Sequence, residues 1–410
     1  MFKRIKTYLE LRKKTTLPPV EVQEVMTILM QQQGWGIKQL SVPAVWKKTQ
    51  GEDVIIGVID TGVPQHDDLD ENVMEGLNCI PGEDQYDNHG HQTHCVGIIA
   101  AENNNVGMVG VAPKAKCLCI KGLNDRGGGT YGGLIKALEY CLEIRNDGTR
   151  RVDIVSMSLG GSSPSPQMEQ VINKLVDAGI PVICAAGNDG AGGVNYPAAF
   201  DKTIAVAAYD SQGKVAYFSS KGPEVDFAKP GVNIYSTYLN NQYAKLSGTS
   251  MACPFMAGVV ALLISKYKKN NEEYTVDKIK NQLVKKSNDK GIIGKDESWG
   301  YGIVDVHDLI IDKSKPTPEP TSTPTLTPTT TSSPKPTVTP TQSITPTATP
   351  TTSKPAPVKK NNIAWIVLGV FVSISLAIAI YSFWKSEDIP EPPYIDENGN
   401  VDWDKKFQSE

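Results

Sequence analysis

Val54-Ile55-Ile56-Gly57-Val58-Ile59-Asp60-Thr61-Gly62 is an apolar run of strand length that ends in a carboxylate and a glycine turn. A run without polar interruption suits a strand buried on both faces, the kind that builds parallel sheets. Residues 152–159, 182–186 and 203–208 read the same way. Helical periodicity lies between or after them, at 132–144, 168–178, 251–267 and 276–285. The alternation predicts an α/β fold with a mostly parallel central sheet flanked by helices. In open parallel sheets ligands collect beyond the carboxyl ends of the strands, so Asp60 is delivered to the functional edge. Read alone, the same aspartate also suits an ordinary turn with Gly62.

This pattern occupies residues 35–312 of a 410-residue chain. Lys and Arg total 41 against 45 Asp and Glu, which leaves no basic footprint for nucleic acid. From about residue 314 the composition turns to Pro, Thr and Ser, so 313–362 is expected to be a disordered, extended linker. Residues 363–384 are apolar and uncharged, long enough for one transmembrane helix. Trp365 near one end and Tyr381, Phe383 and Trp384 at the other suit interfacial belts. Residues 385–410 form a short polar tail whose Asp396-Glu397-Asn398-Gly399-Asn400 run misplaces the glycine of a calcium loop. The N-terminus is basic, but no continuous apolar core follows it, so no secretory signal is expected. Seven cysteines include a C-x-C pair, Cys117 and Cys119, and no metal-type spacing; buried free thiols of a reducing compartment are expected.

Two further segments place reactive side chains at turns. Asn88-His89-Gly90-His91-Gln92-Thr93-His94-Cys95 is dense in donors and acceptors and leads into an apolar helix. His91 and His94, three apart, also suit a metal pair, although no H-E-x-x-H accompanies them. Leu246-Ser247-Gly248-Thr249-Ser250-Met251-Ala252-Cys253-Pro254 runs into a second apolar helix. Ser250 falls at that helix's N-terminus, where backbone N–H groups favour negative charge. A capping serine without chemistry suits the segment too. Pro254 reads as a first-turn proline, whose missing N–H needs no partner.

Together the three segments resemble the subtilisin-like serine proteases, over residues 34–305, in the chain order Asp, His, Ser. The resemblance implies a subtilisin-like three-layer fold and a serine endopeptidase acting on extended peptides through an acyl-enzyme. By it, Ser250 is the nucleophile, His91 the general base and acid, and Asp60 the group that orients the imidazole. His94 matches the second histidine of the family's H-G-T-H motif and is expected to take no direct part. Ala185-Ala186-Gly187-Asn188 resembles the oxyanion segment, with Asn188 donating beside the Ser250 N–H. Ser158-Leu159-Gly160-Gly161 and Gly127-Gly128-Gly129 resemble the two edges between which a substrate strand lies. A calcium site is implied as well, from Asp68, the Asn104 side chain, the carbonyls of Glu102, Val106 and Met108, and Gln31.

Departures from the family pattern set further expectations. Gln92 replaces a glycine and is expected to crowd the cleft beside His91 or narrow its prime side. That would favour the alternative function, a catalytically weak fold serving as a membrane-bound peptide-binding or sensory module. Cys95 follows His94 as in the proteinase K branch, which implies a free thiol beneath the triad. Asn195 falls at the base of the S1 pocket and would make it shallower or more polar. Residues 1–34, through Leu17-Pro18-Pro19-Val20-Glu21-Val22, resemble the short inhibitory extension of intracellular subtilisins. The expected partners are protein or peptide substrates and, through the C-terminal helix, a membrane crossed once. Lys354, Lys359 and Lys360 before the helix place the protease domain on the cytoplasmic face. The Pro/Thr-rich spacer keeps the extracellular face as the alternative.

Overall fold

The computed structural model describes residues 30–145 and 147–311, with the backbone of four short strands outside them. The chain divides into two units, Met1–Ser322 and Thr323–Glu410. The first unit opens with β1 (Lys14–Thr16), β2 (Glu21–Met26), α1 (Trp35–Gln39), β3 (Ile55–Asp60) and β4 (Val73–Asn78). It continues with α2 (His91–Ala100), β5 (Lys116–Lys121), β6 (Gly128–Thr130), α3 (Tyr131–Leu142), β7 (Ile154–Met157) and α4 (Pro166–Asp177). Then come β8 (Val182–Ala185), β9 (Ile204–Tyr209), β10 (Val225–Pro230), β11 (Ile234–Tyr238), β12 (Gln242–Ser247) and α5 (Thr249–Lys269). It closes with α6 (Val276–Lys285), β13 (Ser287–Asn288), β14 (Ile303–Val304) and α7 (Val306–Ile310). In the second unit β15 (Tyr394–Ile395) pairs antiparallel with β16 (Val401–Asp402). The linker and the apolar stretch at 363–384 lie outside the described residues.

Seven strands form one parallel sheet in the order β10-β9-β8-β7-β3-β5-β4. The chain leaves β3 to one side for β4 and β5, then crosses to its other side for β7 through β10, which makes β3 the pivot. Alternate side chains of these strands enter two cores. Ile56, Val58, Cys117 and Cys119 pack with α2 and α5, while Ile59, Leu118 and Ile120 pack with α3 and α4. The result is three layers, helix–sheet–helix. A separate antiparallel sheet joins β11, β12 and β2.

The strands and helices expected from sequence appear with shifts of a few residues at their ends. β4, β5, β10, β11 and β12 were not anticipated: charged, glycine or proline residues break or shorten the apolar pattern of β4, β5, β10 and β12, and Ser236 and Thr237 break that of β11. Among the described residues one helix, α5, is long and apolar enough to cross a membrane. Its apolar window is 94% buried inside the protein, so it is a core helix. Polar N-caps end the solvent-facing helices: Thr130 accepts from Gly133 N, Thr275 from Lys278 N and Asp305 from Asp308 N.

Candidate active site

Asp60, the last residue of β3, and His91, the first of α2, are both fully buried and meet at the sheet's carboxyl end. His91 Nδ1 lies 2.8 and 2.9 Å from the two Asp60 oxygens. Asp60 Oδ1 also accepts from the Thr61 N–H at 2.8 Å. Burial works against an imidazolium, but the adjoining carboxylate outweighs it and holds the His91 pKa well above its usual range. His91 Nε2 is buried and has no hydrogen-bond partner among the described residues.

Two groups not singled out in the sequence set this pair in place. Asp87 accepts from the N–H groups of His89, Gly90 and Thr93 and from the hydroxyls of Thr61 and Thr93. It thereby satisfies the free N–H groups at the start of α2 and ties them to the end of β3. Lys121, level with Asp60 on β5, is wholly buried. Its Nζ donates to Thr61 O at 2.8 Å, Tyr86 O at 3.1 Å and Asp125 Oδ1 at 2.6 Å. An aspartate four residues before His91 was the available signal for the first; a lone lysine ending a strand offered none for the second.

Ser250 is the second residue of α5. Its hydroxyl donates to Ser158 O at 3.3 Å, and the Ser158 hydroxyl donates back to Ser250 O at 2.9 Å. The helix starts earlier than the sequence reading placed it, so Pro254 lies past the first turn. A proline there withholds the N–H that Ser250 O would otherwise accept. The carbonyl is satisfied instead by Ser158 Oγ and by Cys95 Sγ at 3.4 Å. Cys95 Sγ is also 3.9 Å from His91 Nδ1, and Asp60, His91 and Cys95 are the described groups whose ligand atoms cluster. Burial raises the Cys95 pKa, so the thiol stays protonated near neutral pH.

His94 does not join a metal pair with His91. Its Nε2 faces Ile234 O at 3.0 Å and Ala244 O at 3.2 Å, which fixes it as a donor bridging β11 and β12. Burial lowers its pKa to about 3, so it stays neutral. Gln92 corrects a second expectation. Its side chain is wholly buried and turned into the protein, away from the cleft it was expected to crowd. Its two amide ends reach the Val58 carbonyl and the Gly62 N–H, which accounts for the inward rotamer.

Beyond β8, Asn188 Oδ1 accepts from Thr249 N and Thr249 Oγ1, both at 2.9 Å. Asn195 fills the space between the segments at 158–161 and 186–188. A Cβ on Gly187 would meet Asn195 Nδ2 at 2.6 Å, and one on Gly160 would meet Asn195 Cβ at 2.9 Å. Asn195 Nδ2 donates to Asp189 Oδ2 at 2.8 Å. The Leu159 side chain is buried in the core. Gly128 lies on β6, and β6 is paired antiparallel with the backbone of β1.

The residues expected around a cation also converge. Gln31 Nε2 donates to Glu102 O at 2.7 Å and Met108 O at 3.1 Å and lies 3.5 Å from Asn104 Oδ1. Asp68 accepts from Asn104 Nδ2 at 3.0 Å and Met108 N at 2.9 Å. Val106 sits on the same loop, half exposed.

A family model described as the subtilase family matches residues 51–302. Similar proteins include Subtilisin DY of Bacillus licheniformis, 39% identical over 263 residues, 63% of this chain and 90% of that protein. Subtilisin Savinase of Lederbergia lenta is 38% identical over 272 residues, 66% of this chain and 96% of that protein. Minor extracellular protease Epr of Bacillus subtilis (strain 168) is 37% identical over 273 residues, 66% of this chain and 40% of that protein's length. With the family model covering more than half of its length, the chain belongs to the subtilase family and is a serine-type endopeptidase.

Proposed function

We propose that this endopeptidase cleaves extended protein segments through an Asp60–His91–Ser250 triad and that residues 363–384 tether it to a membrane. The contact between His91 Nδ1 and Asp60 carries the reading. It holds the imidazole with Nδ1 protonated and Nε2 available as base. Rotation of the Ser250 hydroxyl from Ser158 O to His91 Nε2 readies the attack. Oγ then adds to the scissile carbonyl, His91 takes its proton and returns it to the leaving amine, and water hydrolyses the acyl-enzyme. Asn188, its oxygen committed to Thr249, offers Nδ2 to the oxyanion together with the Ser250 N–H. Ser158, Leu159 and Gly160 on one side and Gly128 on the other bind the substrate backbone, and Asn195 closes the base of the P1 pocket. Labelling of the full chain by a fluorophosphonate, absent in Ser250→Ala, is the test; no label on the wild type returns the peptide-binding module as the better reading. Gln92, the feature that favoured that alternative, stays out of the cleft.

The domain reading follows: an inhibitory extension (1–34), the protease domain (35–312), a linker (313–362), the span and a polar tail (385–410). The pairing of β1 with β6 supports inhibition, because it occupies the edge assigned to substrate. The cytoplasmic face remains the preferred side on the lysines before the span.

We also infer a structural calcium ion at Asp68, Asn104, Gln31 and the carbonyls of Glu102, Val106 and Met108. Three oxygens already converge on the Gln31 amide, and exchanging its two ends turns Oε1 toward the same point. Chelation is expected to lower the Tm of the full chain, by about 3 kcal/mol of stability if the ion is held at a hundred times its Kd. An unchanged melting curve in chelator and in excess calcium would sink the assignment. Stoichiometric Hg2+ is expected to abolish activity through Cys95, beside His91, and Cys95→Ala to resist it; an enzyme still active with Cys95 mercurated refutes this.

A further inference from the structure

We infer that Gln92 is a positioning residue of the Asp60–His91 pair, its amide gripping the chain on both sides of Asp60. Gln92 directly follows His91 on α2 and is wholly buried. Its Nε2 donates to Val58 O, two residues before Asp60, at 3.0 Å. Its Oε1 accepts from Gly62 N, two residues after Asp60, at 2.7 Å. Its backbone N–H donates to Thr61 Oγ1 at 3.0 Å. One side chain thus bridges the element that carries the base and both flanks of the residue that carries the acid.

A primary amide suits this bridge. Bridging a carbonyl and an N–H at once takes one donor and one acceptor, which the amide of Gln or Asn supplies side by side on one planar, uncharged terminus. Asn is one methylene shorter. Gly62 is held at a φ of 135°, where a side chain would collide with Tyr86 O, so the turn after Asp60 has little freedom to find its N–H another partner. In a close-packed interior small displacements are resisted, so anchoring both flanks of Asp60 sets where its carboxylate meets Nδ1.

The inference rests on the triad proposed above, and one series tests both. In the full-length protein, titrated for active sites, Gln92→Met keeps the volume and removes both side-chain hydrogen bonds. Its kcat is expected to fall about tenfold to a hundredfold, with KM within about twofold of wild type. The acid limb of kcat/KM is expected to move down by about half a pH unit or more as Asp60 loses its hold on His91. The low-field proton resonance of His91 Nδ1–H should move upfield or broaden, and Gln92→Asn should recover part of each effect. An unchanged kcat and limb overturn the inference, and so does a loss of activity with a wild-type limb and resonance, which packing alone would give. Should Gln92→Met fail to fold, Gln92→Gly measured the same way decides on the same criteria. An unaffected Asp60→Asn overturns the triad and the inference with it; an affected Asp60→Asn beside an unaffected Gln92 variant overturns the inference alone.

Discussion

Ser250→Ala is expected to lower kcat by about a millionfold, the size of the loss in subtilisin itself, and Asp60→Asn by about ten-thousandfold, the scale known for another protease with this triad. The first removes the attacking oxygen and leaves only binding and oxyanion stabilisation. The second leaves the nucleophile but turns an amide toward His91 Nδ1, which favours the wrong tautomer. The two also differ in pH dependence. His91 acts as base only when neutral, and its folded-state pKa is held well above 6.5 because Asp60 outweighs the effect of burial. Activity should therefore appear as pH rises through a value above the ordinary histidine range. Without the carboxylate the main opponent of burial is gone, and the residual activity of Asp60→Asn should have its acid limb at lower pH than the wild type. The stability that the pair contributes runs the other way. It is fully present below the unfolded-state pKa of histidine and is lost as pH rises through the raised folded-state value. A pH–rate profile of the two variants checks the assignment; turnover retained in Ser250→Ala, or an unmoved limb in Asp60→Asn, refutes it.

Lys229→Met is expected to raise stability by on the order of 4 kcal/mol below neutral pH, roughly 10 °C in Tm. Lys229 lies on β10 with no exposed surface, and its Nζ has no hydrogen-bond partner among the described residues. Burial pushes its pKa down to about 7, against a weaker upward pull from Asp305. Between that value and the lysine value of 10.5, the unfolded chain holds a proton that the folded chain has released, so stability climbs as pH rises through this window. Below it both states are charged, and the folded protein bears the full cost of an unpaired buried ammonium. Methionine fills a similar volume without the charge. Its advantage should be greatest near about pH 6 and largely gone by about pH 10. Melting curves in a Ser250→Ala background, which prevents autolysis, measure this. An equal gain at both pH values would mean that the charge is not the cause.

The sequence alone was enough for the α/β class, for β3, β7, β8 and β9, and for α3 to α6, because apolar runs and helical periodicity are local properties of the chain. Their limits are also local: Asp226 and Lys229 hid β10, since a buried lysine breaks the pattern that marks a buried strand. The positions of Asp60, His91, Asn188 and Ser250 were legible because each stands in a short motif at a turn. That Asp60 meets His91, 31 residues away in the chain, depends on a strand and a helix packing together, and that Ser250 meets Ser158 depends on α5 packing beside β7; no window of sequence contains either. Tertiary structure likewise decided the direction of Gln92. A glutamine after a histidine reads as an intrusion on the cleft, yet the nearby Val58 carbonyl and Gly62 N–H draw its amide inward. Pro254 is the same case in reverse. The residue is visible in the sequence, but only the folded chain supplies Ser158 and Cys95 to the carbonyl it leaves without a donor. Local chemistry marks which side chains can react, and the energetic demand that buried polar groups find partners across the fold decides where they point.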